Sequence, residues 1–374
     1  MKKNKAAQSV SSLKIVLKYC ICVFAVFTLA AITLIFPSQS ANGVRNGLEL
    51  CFRTVIPSLF PFMVISSFLV QSNLTSKLDR ISGRLTYFLF RQPSCTGSVI
   101  FLSLISGFPV GTELVRQLYD SKKITKSQGQ RLLLFCVNPG PAFVISCVGV
   151  QILGSQKIGV ILFASVTLSS VILGILTRFM VIPEDEAESV GTADNPRLSQ
   201  SLVAAVSKST NSVLMICGWV IVFSTISSLL QTAGLSEGFA LFLDCILEVT
   251  NGCYRAVGTF PVSVVAGIIS WSGFCVHCQV MPAIIKLRLN YKYFATGRII
   301  CGALACVICS FLLNIFCPDT AVIKLNYDNI SAKKPEFLPV SLGLFAMCAL
   351  FLIGDSVRIR LKSRHISQTA IEIK

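Results

Sequence analysis

Long apolar runs, separated by short polar or basic clusters, follow one another along almost the whole chain. They lie at about 18–36, 56–71, 132–151, 158–179, 212–231, 256–285, 294–316 and 337–354. A run of roughly 20 apolar residues crosses the hydrocarbon core as a helix. The pattern therefore predicts an all-α integral membrane protein with about eight transmembrane helices. Two more apolar stretches, 97–111 and 238–250, are too short to cross, and each ends in helix-breaking residues. We read them as the first arms of two re-entrant hairpins, 97–131 and 238–255.

The breaks are the informative residues. Ser106-Gly107-Phe108-Pro109-Val110-Gly111 and Asn138-Pro139-Gly140-Pro141 interrupt the first half. A looser pair, Glu248-Val249-Thr250-Asn251-Gly252 and Trp271-Ser272-Gly273-Phe274, interrupts the second. Irregular backbone at bilayer depth is tolerated only where protein buries it or where it lines a cavity. Interruptions at matching places in two halves point to a transporter's substrate site.

The linker 181–208, with Pro183, Gly191 and Pro196, divides the halves. Before it, 40–180 reads as span, hairpin, span, span. After it, 209–316 reads as the same order entering from the opposite side, which predicts an inverted repeat. Residues 1–39 form a tail and first helix, and 317–374 a last helix and basic tail. The run Tyr19–Phe36 exceeds the usual signal-peptide core and reads as a retained helix, although Ser38-Gln39-Ser40-Ala41 leaves cleavage open.

Composition agrees with the hydropathy pattern. The chain is 53% hydrophobic and 13% charged, with a mean hydropathy of +0.73, against about 25% charged in soluble domains. The net charge of +16 would suggest nucleic acid in a soluble protein. Here the basic residues lie between apolar runs, where they set membrane orientation, so no nucleic-acid partner is expected. With both termini cytoplasmic, all but seven of the 33 Lys and Arg fall inside; those outside are Arg45, Arg53, Lys157, Arg255, Lys324, Lys333 and Lys334. Most of the 16 cysteines sit in apolar runs as small hydrophobes. The pairs Cys275/Cys278, with His277 between them, and Cys306/Cys309 lack the loops of a zinc site, so no metal is expected.

Several side chains at the breaks are candidates for solute binding. Ser106, Gly107, Pro109, Gly111 and Thr112 surround the first, with Thr112 the expected N-cap of Glu113–Tyr119. Its orphan N–H groups would favour an anion. At the second, Asn138 is expected to close one half-helix in the left-handed region, Gly140 to allow close approach, and Pro141 to open the next. Thr250, Asn251, Gly252, Ser272, Gly273 and Gln279 complete the set. The bland alternative is that the breaks are packing kinks. Glu248 is an intramembrane carboxylate, functional by default. It could carry a coupling proton, touch the solute, pair with Arg255, or lie solvated at a hairpin tip. Glu113 and His277 are further coupling candidates, His277 with a core role as its alternative. A proton or sodium ion is the only helper expected. Nucleotide-hydrolysis, zinc-protease and dinucleotide fingerprints are missing from the chain, so we expect no enzyme. Arg358, Arg360, Lys362 and Arg364 in the tail suit anionic lipid headgroups.

Ser106–Gly111, the basic segment after it, Phe135–Phe143, Leu247–Gly252 and Gly273–Gln279 together resemble the YlbJ-type sporulation integral membrane proteins over roughly residues 40–316. That family belongs to the nucleoside-recognition (Gate) domain group, which is similar to concentrative nucleoside transporters. The resemblance implies a multi-pass protein of endospore-forming bacteria, acting late in sporulation and linked to moving dipicolinate across the outer forespore membrane. The expected function is thus a secondary transporter of a small polar, anionic solute. A nucleoside carrier is the alternative in the same class, and a non-transporting scaffold for cortex formation is the alternative in another. An oligomer is compatible with each.

The topology carries its own test. Single cysteines placed at Ser121 and Thr320 should react with an impermeant thiol reagent from opposite sides of the membrane; reaction of both from one side contradicts the assignment.

Overall fold

The computed structural model describes residues 20–317 apart from 21, 22, 25, 29, 73, 75, 181–197 and 233. In chain order, Pro37–Leu50 (α1) passes through a π-helical turn at Cys51–Val55 into Ile56–Gln71 (α2), and Ser76–Phe90 (α3) follows. A 3-10 turn at Ser94–Thr96 leads to Gly97–Ser106 (α4), Phe108–Asp120 (α5), Lys126–Phe135 (α6) and a π-helical segment, Ala142–Ile152. Gln156–Thr177 (α7) and Leu198–Leu230 (α8) are long and uninterrupted. Beyond them come Glu237–Leu247 (α9), Val249–Ala256 (α10), Val262–Trp271 (α11), Gly273–Lys286 (α12) and Tyr291–Phe316 (α13). Among the described residues the structure is helical, apart from one isolated bridge between Val257 and Phe260.

Local chemistry sets most helix starts. Pro37 opens α1, where its missing N–H costs nothing. Asp79 on α3 accepts from the Ser98 amide at 2.9 Å, satisfying an orphan donor at the start of α4. Thr125 and Gln128 form a reciprocal capping box on α6. Ser155 caps α7, and Asn290 caps α13 through the Lys292 amide at 3.0 Å.

Four segments are long and apolar enough to cross a membrane: α7, α8, Val262–Lys286 taken across its break, and α13. Two bent pairs raise this to six, Pro37–Val55 with Leu59–Gln71 at 54° and Asp79–Phe90 with Ser94–Ser106 at 98°. The chain is a helical membrane protein. Helices that cannot gain from excluding water pack instead through small residues, and that is visible here. A Cβ on Gly43 would lie 2.6 Å from Thr225 Cα, and one on Gly47 2.7 Å from Ile221 Cα, so α1 and α8 touch backbone to backbone. Gly149 and Gly159 bring the π-helical segment equally close to α7.

The elements differ from the hydropathy reading in four places. The runs 132–151 and 256–285 are each cut, at 136–141 and at Ser272, because their Gly, Pro and Asn residues outweigh local hydrophobicity. The segment 37–55 is helical, since its Gly43/Gly47 stripe finds a partner in α8. Residues 198–208, read as linker, begin α8. Arg298, counted among the cytoplasmic cations, has no exposed surface. The span 337–354, the basic tail and residues 1–19 lie outside the described residues.

Glycine packing separates two outcomes. A Cβ on Gly111 would lie 1.9 Å from the Cys136 carbonyl oxygen, whereas one on Gly218 in α8 meets nothing within 4 Å. Gly111→Val should remove folded protein from the membrane, and Gly218→Ala should raise stability by about 0.5–1 kcal/mol. Thermal unfolding of the detergent-solubilised chain checks both.

Candidate functional site

Three of the four interruptions line one cavity, and the fourth packs on the third through Gly273. Gly107, Pro109, Gly140, Glu248 and Thr250 line this small cavity from the breaks, Gln279 joins them from the helix after the fourth, and the cavity is partly open to the outside. Thr54, Val55 and Leu59 from the bend between α1 and α2, Ile216 and Val220 from α8, and Phe143 close the opposite wall.

Two close backbone crossings hold the breaks together. Gly107 has φ +99°, where a side chain is strained, and Gly140 packs on it: a Cβ on Gly140 would lie 3.2 Å from the Gly107 nitrogen. In the later half Gly273, at φ +72°, crosses the break at Glu248, and a Cβ there would lie 3.0 Å from both Leu247 O and Val249 N. The Trp271 indole donates to Ile246 O at 3.2 Å beside this crossing.

Glu248 is buried and is the N-cap of α10. Its two oxygens accept from the Thr250 amide at 3.0 Å and the Asn251 amide at 2.7 Å. Arg255 is not its partner; Arg255 pairs with the buried Asp244 on α9, which also accepts from Ser227 on α8. The carboxylate thus offsets the positive end of α10. The starts of α5 and α12 also border the cavity, through Gly107–Pro109 and Cys275–Gln279. First-turn N–H groups lack intrahelical partners and favour negative charge.

Arg298 fastens the opposite ends of the broken helices. Its Nη1 donates to Val137 O, just beyond α6, at 2.7 Å. Its Nη2 donates to Ser270 O and, at 3.0 Å, to the Ser272 hydroxyl at the end of α11. Orphan carbonyls at helix C-termini attract a cation. Gln130 adds a second tie between α6 and the end of α12, donating to Leu287 O at 2.8 Å.

The other sequence candidates stand behind the wall. Ser106 shares a hydrogen bond of 2.8 Å with Ser66. Thr112 is inside α5, not at its cap, because the helix already begins at Phe108 with Gly107 as its N-cap; its hydroxyl donates to Pro109 O at 2.7 Å. Gly111 and Gly252 are packing glycines, against Cys136 O and Cys245 Cα. Asn138 is not left-handed; its amide donates to Phe135 O at 2.9 Å, and its buried Oδ1 has no partner among the described residues. Asn251 contributes its backbone amide to Glu248. Ser272 adopts φ +76° and accepts from Arg298. Glu113 pairs with Arg116 at 2.7 Å and lines a smaller notch with Ser67, Gln117 and Ser209. His277 sits in an aromatic cage, its Nδ1 2.9 Å from the Tyr291 hydroxyl and its Nε2 3.1 Å from Trp271 O. A carbonyl only accepts, so Nε2 carries the proton and Nδ1 accepts from Tyr291. Both nitrogens are occupied, which is the core role. Sequence reading missed Arg298 and Asp244 as well as the wall from α8. No metal-binding cluster occurs among the described residues.

Replacing Arg298 by Met leaves two buried carbonyls and a hydroxyl without their donor. It should cost about 3 kcal/mol or more, read as a lower unfolding temperature. Arg298→Lys should recover only part, because one ammonium lacks the planar fork. An unchanged melting profile in Arg298→Met would contradict the fastening role.

No family model and no solved structure matches the chain. Among curated proteins it is similar to the "Sporulation integral membrane protein YlbJ" of Bacillus subtilis (strain 168), 25% identical over 327 residues that cover 76% of this chain and 80% of the relative. Over that shared length the chain resembles the YlbJ-type sporulation integral membrane proteins.

Proposed function

We propose that this chain is a secondary carrier for a small polar, anionic solute, bound in the cavity where breaks from both halves of the chain meet. The supporting observation is that convergence: breaks from both halves of the chain line one cavity, although nothing in helix packing alone requires them to meet. The starts of α5 and α12 supply N–H groups and positive dipole ends, with Thr54, Thr250 and Gln279 as neutral polar partners. Glu248 sits at the same cavity, already holding α10 in place. On this reading it takes up the coupling proton, and a solute anion replaces the negative charge that is lost.

The halves 40–180 and 209–316 are read as an inverted repeat. In each, a short helix pair meets at one break, Gly107 or Glu248, which is crossed by a second, Gly140 or Gly273. With the first and last runs added, about eight spans result, both termini cytoplasmic. The family resemblance makes dipicolinate the first solute to test and the outer forespore membrane the first location.

Uptake of labelled dipicolinate and of nucleosides into vesicles containing the purified chain, with and without proton or sodium gradients, decides between the readings. Dipicolinate uptake is expected, nucleoside uptake would move the solute class, and failure of both would favour the scaffold. Glu248→Gln should abolish pH dependence or concentrative uptake while exchange persists; wild-type pH dependence in that variant would remove Glu248 from the mechanism.

A further inference from the structure

Helix α3 has three distinct faces. Asp79, Gly83, Thr86 and Phe90 face inward: Gly83 packs on Ser94, Asp79 caps α4, and Phe90 stacks on Phe135 with ring centroids 5.2 Å apart. Ile81, Leu85 and Phe88, spaced i, i+4, i+7, are 80%, 59% and 67% exposed. Arg80, Arg84 and Arg91 run down the stripe beside them, all exposed. The helix meets the segment after it at 98°, so it does not continue that segment across the bilayer. An apolar stripe flanked by arginines is the pattern of a helix lying in the membrane interface.

Two further arginines converge on its last turn. Arg131, from α6, donates to Phe90 O at 2.5 Å and to Arg91 O at 3.5 Å. Arg178, just past the end of α7, lies 5.9 Å from the Phe88 ring and 5.3 Å from the Phe179 ring. The α7 end is close because Gly174 packs directly on Phe90. Among the described residues none of Arg84, Arg91, Arg131 and Arg178 has a carboxylate within ion-pair distance. The Nε atoms of Arg131 and Arg178 are buried without a hydrogen-bond partner there. A cluster of guanidinium groups without carboxylate partners among the described residues, beside an exposed apolar stripe, matches a headgroup phosphate above its acyl chains.

We infer that Arg84, Arg91, Arg131 and Arg178, with the apolar stripe of α3, form a binding site for an anionic phospholipid. This surface is separate from the solute cavity and from the basic tail, and it stands whether or not the chain transports anything.

The test uses the full chain in detergent, with phosphatidylglycerol or phosphatidylcholine added, read by native mass spectrometry and by unfolding temperature. Phosphatidylglycerol should stay bound and raise the unfolding temperature, and phosphatidylcholine should do neither. Combined Arg84→Gln, Arg91→Gln and Arg178→Gln should weaken phosphatidylglycerol binding by about fivefold per arginine, while Arg178→Lys keeps it. Arg45→Gln with Arg53→Gln should leave it unchanged, and tail contributions cancel between these chains. Arg84→Gln alone, on an exposed position, gives a readout if the combined variant fails to fold. Inorganic phosphate at millimolar concentration should not compete; full competition would mean a phosphate site, not a lipid site. Equal binding of the two lipids, or unchanged binding in the combined variant, overturns the proposal. So does lipid binding that appears only after Glu184, Asp185 and Glu186 are changed to glutamine, because the acidic linker would then be the cluster's occupant.

Discussion

A guanidinium with no exposed surface joins the ends of two broken helices, and the cavity's position follows from it. Cutting a helix inside a membrane leaves carbonyls that hydrocarbon cannot solvate. Water is the usual remedy at a protein surface; here Arg298 serves both cuts at once, reaching Val137 O on one side and Ser270 O on the other. A fork of fixed donors suits this task, since each carbonyl is met along its own direction. The burial cost of the charge is offset by the negative ends of α6 and α11, which face it together. The cation therefore fixes the distance between two broken ends 133 residues apart in sequence, at Val137 and Ser270.

The opposite ends of the same cuts are left differently. One start, that of α10, is neutralised from within by Glu248. Those of α5 and α12 border the cavity without a side-chain cap. The protein thus sorts its broken ends, with carbonyls turned to a buried arginine and amides toward open space. On the proposed carrier reading, an acceptor-rich solute would complement that sorting.

The breaks were legible in the sequence because glycine and proline announce themselves, and the helical membrane class followed from the apolar runs. Their meeting was not legible: it depends on Gly107 touching Gly140 and Gly273 touching Glu248, contacts with no local signature. Arg298 was misread for a related reason. It follows Arg288 and Lys292 in a basic stretch, and only its position within the first turns of α13, followed by an unbroken apolar run, hinted that it was buried. Asp244 was hidden in the same way by the apolar residues around it, although its i+11 relation to Arg255 fits a helical hairpin folded back on itself. Thr112 looked like a cap because Gly111 looked like a break; the real discontinuity is four residues earlier, where the positive φ falls. The segment 37–55 lies between two apolar runs, and its helix became visible only through Gly43 and Gly47 packed on α8.

Ser272 shows what this architecture tolerates. It holds a left-handed backbone that glycine would adopt freely, at a cost of roughly 1–2 kcal/mol for a residue with a Cβ. In return its hydroxyl accepts from Arg298, a bond to a charged donor of comparable size, about 1.5–3 kcal/mol. The two terms nearly cancel, so stability alone hardly distinguishes serine from glycine here. In the terms of folding landscapes the position is locally frustrated: the backbone prefers one residue and the guanidinium another.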